Sequence, residues 1–193
     1  MIAVTVGLLA SVQALHESLG RTFDPTDVRA IRNLEDASAF IRGYTQQEIT
    51  TVTDDEVALD GSGRFAILLP QIPVTTLTSI TIADVELDVT AYRVDRSGIV
   101  WRLDGLRWPL GHGNIGAKYD HGHDEVPPDL VGVCVNIASD LDAKEQRQLA
   151  GGGVSSLTLG PFSVGYQSPT QAQILATLAW TDRRILDNYR VPQ

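Results

Sequence analysis

Three histidines and an aspartate near the middle of the chain are the residues best suited to binding a metal ion. They are His112, His121, His123 and Asp124. On a strand, His121 and His123 would point to the same face, and Asp124 would add an oxygen ligand. However, the two histidines flank Gly122 at a predicted turn, and no further ligands follow at a recognisable spacing. We therefore predict no metal and no cofactor, with imidazoles bonded to backbone groups. His121 and His123 are the weak candidates for a metal.

A group of carboxylates suggests either a calcium loop or an acid pair. It contains Asp54, Asp55, Glu56 and Asp60. Their order does not follow the alternating oxygen ligands of an EF-hand loop. We predict solvated turns instead, one at Asp54-Asp55 and a hairpin turn at Asp60-Gly61-Ser62-Gly63.

Three tryptophans, Trp101, Trp108 and Trp180, would suit a sugar-binding platform. We expect two of them to pack within the β-rich region and one on the C-terminal helix. The run Gly151-Gly152-Gly153 is not followed by Gly-Lys-Ser or Gly-Lys-Thr, so it is no phosphate-binding P-loop. No set of residues forms a recognisable catalytic arrangement, and we predict that the protein is not an enzyme.

Cys134 is the single cysteine, so no intrachain disulfide can form. This mildly favours a reducing compartment. Cys134 falls on the apolar face of a predicted helix, and we interpret it as a small buried side chain.

The bulk composition bounds the class of protein. The chain has 193 residues, 43% hydrophobic residues and a formal charge of −9, with a pI near 4.7. Such a charge argues against binding DNA by neutralising phosphates. Met1–Ala10 lacks the features of a signal peptide, and no apolar run approaches a membrane span. We expect a soluble protein without membrane contact.

The most strongly patterned helix follows Val126-Pro127-Pro128-Asp129. Prolines cost little at a helix entrance, where N–H groups lack partners, and Asp129 suits the helix dipole there. Apolar residues lie on two adjacent stripes, so neighbouring helices should surround this helix. The stripes contain Leu130, Cys134, Ile137 and Leu141, and Val131, Val135 and Ala138.

Two amphipathic helices precede it. Residues 7–19 repeat leucine and valine at helical spacing until Gly20, and a second helix should begin at Asp24-Pro25 and run to about Tyr44. Between them and the central helix, residues 48–119 alternate with a period of two and contain about seven short strands separated by turns. This pattern predicts a small sandwich or barrel.

After the central helix, the sequence predicts a hairpin and a helical end. Val154–Leu159 and Phe162–Gln167 flank Gly160-Pro161 and have little core of their own. Ser168-Pro169 should open a helical segment, either one bent helix or two.

The predicted fold class is α+β, with a small bundle of about four helices and an inserted β-rich lobe. The predicted parts are residues 1–47 with 120–142 (helical bundle), 48–119 (lobe), 143–168 (flexible arm) and 169–193 (C-terminal helical segment).

In this order and spacing, four stretches together resemble one protein family. The stretches are Leu34–Arg42, Leu68–Ile80, His121-Gly122 followed by Val126–Leu130, and Asp182–Arg190. With them, the chain is similar to the head-to-tail adaptor (connector) proteins of tailed bacteriophages, in the version found in phages of actinobacteria.

The resemblance implies a structural role in the virion neck, after assembly in the cytoplasm of the host bacterium. Such adaptors form a ring, usually of twelve copies, beneath the portal, and they carry the stopper or tail terminator. Packaged DNA passes through the lumen without specific binding. Candidate portal contacts are Arg183, Arg184, Tyr189 and Arg190, and candidate contacts of the arm with a neighbouring subunit are Val154, Leu157, Leu159, Phe162, Val164 and Tyr166.

Two alternatives remain. One is another neck component, such as a stopper or tail-completion protein, which would be mostly β. The other is a metal- or sugar-binding module that uses His121, His123 and the tryptophans.

Overall fold

The computed structural model describes residues 7–150, 158–159, 162–163, 174–175 and 178–190. These residues fall into two compact units. One is helical and combines the described residues up to Thr45 with those from Val126 to Arg190, and the other is the β-rich unit of residues 46–125. We describe each unit by itself.

Four helices with assigned bounds lie in the helical unit. They are α1 (Val12–Ser18), α2 (Val28–Thr45), α3 (Pro128–Ala150) and α4 (Trp180–Asn188). A separate helical pair of residues, Ile174 and Leu175, precedes α4. No helix in the described ranges combines the length and apolarity needed to cross a bilayer.

Helix α3 is the centre of this unit. Its buried side chains include Leu130, Cys134, Ile137 and Leu141, each at most 4% exposed, which confirms the predicted stripe. Helix α2 runs antiparallel to it, because Ser38 approaches Cys134 whereas Arg32 reaches Glu145. Burial of these apolar surfaces is the main stabilising term of the bundle.

A buried carboxylate on α3 binds both the loop that follows α1 and helix α2. Asp142 on α3 is 3% exposed and accepts from both terminal nitrogens of Arg21, at 3.2 and 2.5 Å. The Nε atom of Arg29 on α2 lies 3.2 Å away, and Gln146 donates at 2.6 Å. The carboxylate is therefore fully paired, which is the condition under which a buried charge is tolerated.

Seven strands form the β-rich unit, as the alternation predicts. Their bounds are β1 (Val52–Gly61), β2 (Ala66–Leu68), β3 (Val74–Ile82), β4 (Val85–Glu86), β5 (Tyr92–Val94), β6 (Ile99–Arg102) and β7 (Gly111–His121). They make two antiparallel sheets, a four-stranded one in the order β1-β7-β3-β4 and a three-stranded one in the order β2-β6-β5.

The two sheets share one core. Ile67 and Val100 from the three-stranded sheet and Ile80, Ile115 and Tyr119 from the four-stranded sheet belong to a single buried cluster. Because successive side chains on a strand point to opposite faces, each sheet buries one face and turns the other outward.

Both N-terminal helices begin later than predicted. Helix α1 begins at Val12, where the Ser11 hydroxyl accepts from the amide of Ala14 at 3.1 Å. Helix α2 begins at Val28 because Asp27, rather than Asp24, accepts the first amide hydrogen bonds of the helix. Asp24 instead closes a turn with Thr26.

Two predictions are wrong: a solvated turn at Asp54-Asp55 and a hairpin turn at Asp60–Gly63. β1 runs unbroken through Asp54, which adopts φ 56° where the register with β7 shifts, so this site is a β-bulge. β1 and β2 belong to different sheets, so residues 62–65 form a corner between sheets and no hairpin.

Strand β7 is longer than predicted, and it includes His121. The turn follows at Gly122, which has φ 94°. A Cβ atom there would lie 2.4 Å from the carbonyl oxygen of Thr50, so only glycine fits the close approach of the two chains.

Candidate interaction surface

Helix α4 and the two residues that follow it carry the four positively charged or aromatic residues singled out in the sequence: Arg183 and Arg184 lie in the helix, and Tyr189 and Arg190 lie just beyond its end. It begins at Trp180, after Ala179 in an extended conformation, and the two predicted alternatives resolve in favour of a separate terminal helix. Leu186 is fully buried and Asp182 is 8% exposed. One side of α4 therefore packs within the helical unit and the other faces outward.

Side-chain hydrogen bonds attach α4 to the other helices of the unit. Asp182 accepts from the amide nitrogen of Asn136 on α3 at 3.3 Å. The hydroxyl of Tyr44 on α2 donates to Asp187 at 2.7 Å. These bonds tie α4 to both α2 and α3 and define which residues remain on its outer side.

Tyr189 is part of the same attachment. Its hydroxyl donates to the two carboxylate oxygens of Asp129 at 2.8 and 3.0 Å. Asp129 lies in the first turn of α3, so the tyrosine links the ends of two helices. The structure thus gives Tyr189 a hydrogen bond within the helical unit, and the contact with a portal that the resemblance implies for it stays a prediction.

Arginines dominate the outward side. Arg183, Arg184 and Arg190 are exposed. The guanidinium of Arg184 lies 4.9 Å from the ring centroid of Trp180, and that of Arg190 lies 5.5 Å from the ring of Tyr44. Cation–π contacts of this kind hold the arginine heads over aromatic faces and leave their N–H groups available for acceptors.

Trp180 is the residue that the sequence interpretation misplaced. It is 68% exposed and does not pack the C-terminal helix against the bundle. Its spacing of four from Arg184 on a helix was the signal that would have found the pair, since such residues are neighbours on the helix surface. We call Trp180, Arg183 and Arg184 the α4 patch. Tryptophan and arginine are the side chains most enriched at protein-binding hot spots.

Loss of the Tyr189 proton is expected to weaken the fold. Burial and the hydrogen bond to Asp129 raise the pKa of Tyr189 from 10.0 to about 12. Because the folded-state pKa is the higher one, its contribution is complete below pH 10 and is lost as the pH rises toward 12. Urea unfolding of Tyr189→Phe should therefore show a weaker decline in stability over this interval than the unsubstituted protein. An equal decline would contradict the assignment.

The metal candidates lie apart in the β-rich unit. His121 is buried, its Nε2 atom lies 3.2 Å from Asp55, and its ring packs 5.2 Å from that of Tyr119. His112 is fully exposed and pairs with Asp60 at 3.1 Å. His123 exchanges backbone hydrogen bonds with residues 49 and 51. Within the described ranges, His, Cys, Asp and Glu form no group of three or more suited to a metal.

The carboxylates Asp54, Asp55, Glu56 and Asp60, for which the sequence predicts solvated turns and no calcium loop or acid pair, lie along β1. Asp54 and Glu56 each approach the ammonium group of Lys118 at 3.2 Å. These two carboxylates therefore share one ammonium group, whereas Asp60 pairs with His112 and Asp55 pairs with His121.

Trp108 and Cys134 are both structural. Trp108 is fully buried and Arg102 stacks 5.4 Å from its ring, whereas Trp101 is 40% exposed, so only one tryptophan packs wholly within the β-rich unit. Cys134 is fully buried, and burial raises its thiol pKa to about 11. The thiol is therefore protonated at neutral pH and unsuited to nucleophilic chemistry.

Part of the predicted arm hairpin is described. Thr158–Leu159 and Phe162–Ser163 pair antiparallel, with Leu159 opposite Phe162. We number these strands β8 and β9. The other arm candidates, Val154, Leu157, Val164 and Tyr166, lie outside the described residues, as do Ser168 and Pro169.

Sequence comparisons identify no relative. No protein-family model matches the chain. No curated protein matches it either.

The fold is similar to chains in solved structures of gene transfer agent (GTA) particles. A chain in the neck of the empty particle, computed with C6 symmetry, has a TM-score of 0.53 at 17% identity, covering 100% of this chain and 94% of that chain. A chain in the neck of the native particle, computed with C12 symmetry, has a TM-score of 0.52 at 15% identity, with coverage of 100% and 94%. A chain in the native virion has a TM-score of 0.51 at 15% identity, with coverage of 94% and 89%. The chain thus has a fold found in the neck of a phage-like particle.

Proposed function

We propose that this chain is a structural protein of a virion neck, a head-to-tail adaptor of the kind found in phages of actinobacteria. It assembles in the host cytoplasm as a ring, of twelve copies in our proposal. The ring lies beneath the portal, extends the DNA channel and carries the stopper or tail terminator.

One observation carries the proposal. The similarity to neck chains spans 100% of this chain and 94% of theirs, so it includes the helical unit, the β-rich unit and their order in the sequence. A similarity limited to one motif or to the β sandwich would support the proposal much less, because common folds host many unrelated functions. The C12 symmetry used for one of those necks supports a ring of twelve.

The α4 patch supports the contact with the portal. Arg183 and Arg184 expose positive charge in a chain whose formal charge is −9, and Trp180 adds an exposed aromatic side chain. We assign Arg190 to the margin of this contact and Tyr189 to the internal support of α4. Truncating a central aromatic or arginine hot spot typically costs ~2 kcal/mol or more of binding energy.

The arm supports the contact between subunits. A two-stranded hairpin is marginal in water, and the described residues of β8 and β9 form such a pair. We propose that the arm, with Val154, Leu157, Leu159, Phe162, Val164 and Tyr166, becomes stable against a neighbouring subunit. A head-to-tail contact of this kind closes a ring when the rotation between copies is right.

The net negative charge of the chain is suited to a channel through which DNA passes. The negative charge of the chain disfavours adhesion of phosphates, so DNA in the lumen would pass without specific binding. We propose that carboxylates outnumber Lys and Arg on the lumen wall.

The test is to purify the particles encoded with this gene and to measure the protein composition of their necks by mass spectrometry. We expect the chain in each particle at a copy number equal to that of the portal. The variant Trp180→Ala with Arg184→Ala should lower its capture by isolated portal at least tenfold, whereas Thr181→Ala, exposed on the same helix, should not. Absence of the chain from particles would overturn the proposal, and location below the adaptor position would favour the stopper alternative.

A further inference from the structure

The outward face of the three-stranded sheet is apolar. Ile67 and Val100 pair in register and are buried in the core, at 7% and 0% exposure. The next residues along each strand point the other way, and Leu68 and Trp101 are each 40% exposed. Leu103, just beyond β6, is 58% exposed. We call Leu68, Trp101 and Leu103 the apolar face.

Exposed arginines lie beside this face. The β-rich unit, residues 46–125, contains 13 acidic and six basic residues, a net charge of −7. Yet four of the six basic residues are exposed on or beside the three-stranded sheet, where they outnumber the exposed Asp95 and Asp104: Arg64, Arg93, Arg96 and Arg107. Arg93 is exposed and pairs in register with Trp101, so both side chains leave the sheet on the same side.

The four-stranded sheet has the opposite character. Its strands carry six carboxylates, on Asp54, Asp55, Glu56, Asp60, Glu86 and Asp120, and a single basic residue, Lys118. Asp54, Glu56 and Asp60 are exposed on β1. We call these three the acidic strand. A groove of about 450 Å³ lies beside Glu56 on the outward face of this sheet, large enough to accept an aromatic side chain.

The two surfaces belong to opposite sides of one sandwich. Both sheets contribute to the same core, so their outward faces point away from each other. The apolar face with its arginines can therefore contact the acidic face of another copy. Within one copy the two faces cannot meet, because they lie on opposite sides of the sandwich. Two apolar faces in contact would instead place arginine against arginine.

We propose that, in the ring assigned above, the apolar face of one β-rich unit docks on the acidic strand of the next copy. Trp101 and Leu103 supply the buried apolar contact, and Arg93 pairs with Asp54 or Glu56 of the neighbouring copy. The contact is heterologous, so repetition around the ring uses both faces of every copy. The proposal rests on the ring, but it specifies surfaces that the ring alone does not.

Crosslinking in assembled particles tests this contact. The variant with Trp101→Cys and Glu56→Cys is incorporated into particles and treated with a short thiol-to-thiol crosslinker. Cys134 is fully buried and does not compete. We expect a ladder of covalent oligomers that extends to the closed ring. The matched control replaces Trp101→Cys by Val89→Cys, which is 66% exposed outside the three-stranded sheet, and should give at least tenfold less crosslinked product.

Any other result would contradict the proposed contact, and the possible results can be told apart. If the chain is in the neck and the pair crosslinks no better than the control, the proposed surfaces are wrong and the ring stands. If Trp101→Cys crosslinks to a different virion protein, that protein occupies the apolar face. If the unsubstituted chain is absent from particles, the proposed function itself fails. Should Trp101→Cys not enter particles, Leu103→Cys with Asp54→Cys gives the same comparison.

Discussion

Replacing Ile137 by Asp is expected to prevent the helical unit from folding. Ile137 is 3% exposed on α3, in the middle of the stripe that faces the other helices. An unpaired carboxylate in this position loses its hydration without gaining a partner, which costs several kcal/mol or more. Cys134→Asp should have the same result, since Cys134 is fully buried one turn away. Circular dichroism would show the loss of helix.

Gly132→Asp is the matched control. It adds the same carboxylate to the same helix, but Gly132 is exposed and a Cβ atom there would meet nothing within 4 Å. It also lies near the N-terminus of α3, where negative charge is favourable. This variant should fold normally. A folded Ile137→Asp protein with full helical content would show that α3 is not the core of the unit.

Replacing Asp142 by Ala is expected to destabilise the helical unit by about 1–3 kcal/mol, because it removes charge-assisted hydrogen bonds to two arginines that keep part of their contact with water. The side chain of Asp142 is 3% exposed. It binds both Arg21, in the loop after α1, and Arg29, on α2. Its removal leaves two partly buried guanidinium groups unpaired. The free energy of unfolding in urea, followed by helical circular dichroism, measures the effect.

Asp142→Asn separates charge from shape. The amide retains the side-chain volume but accepts less strongly from the two arginines, so we expect a smaller loss than for alanine. Asp140→Ala removes an exposed carboxylate from the same helix and should change stability by less than about 0.5 kcal/mol. If Asp142→Ala were as stable as Asp140→Ala, the arginine pairing would not hold the helices together.

Local patterns in the sequence were sufficient for much of the fold. The proline-containing entrance and apolar stripes of α3 are determined within the helix itself, and the structure begins that helix at Pro128. Period-two alternation likewise gave the seven strands and the α+β class. These features depend on residues a few positions apart, which is the range that pattern analysis covers.

Features set by distant residues were not predictable. The start of α2 depends on His16, whose ring accepts from the amide of Asp24 and contacts the carboxylate of Asp27 at 3.1 Å. With this contact in place, the carboxylate of Asp27 caps the first turn of α2. The pairing of β1 with β7 joins residues 50 or more positions apart, so Asp60–Gly63 looked like a hairpin turn although the strands on either side of it belong to different sheets.

For the candidate surface, too, the sequence predicted some features and the packing of the helices determined the others. Arg183, Arg184 and Arg190 were found as positive residues in an acidic chain. The spacing of four marks Trp180 and Arg184 as neighbours on a helix but does not say which side of the helix is exposed. The exposure of Trp180 and the bond from Tyr189 to Asp129 both depend on how α4 packs within the helical unit. The sequence therefore located the segment, and the packing of α4 decided which of its residues face outward.

A cryo-EM reconstruction of the particle neck tests the proposed function most directly. The account predicts a ring of twelve copies of this chain immediately below the portal, with the α4 patch toward the portal and more carboxylates than Lys and Arg on the lumen wall. A neck in which another protein occupies this position would contradict the adaptor assignment. A ring of this chain with a lumen lined mainly by Lys and Arg would contradict the proposed passage of DNA.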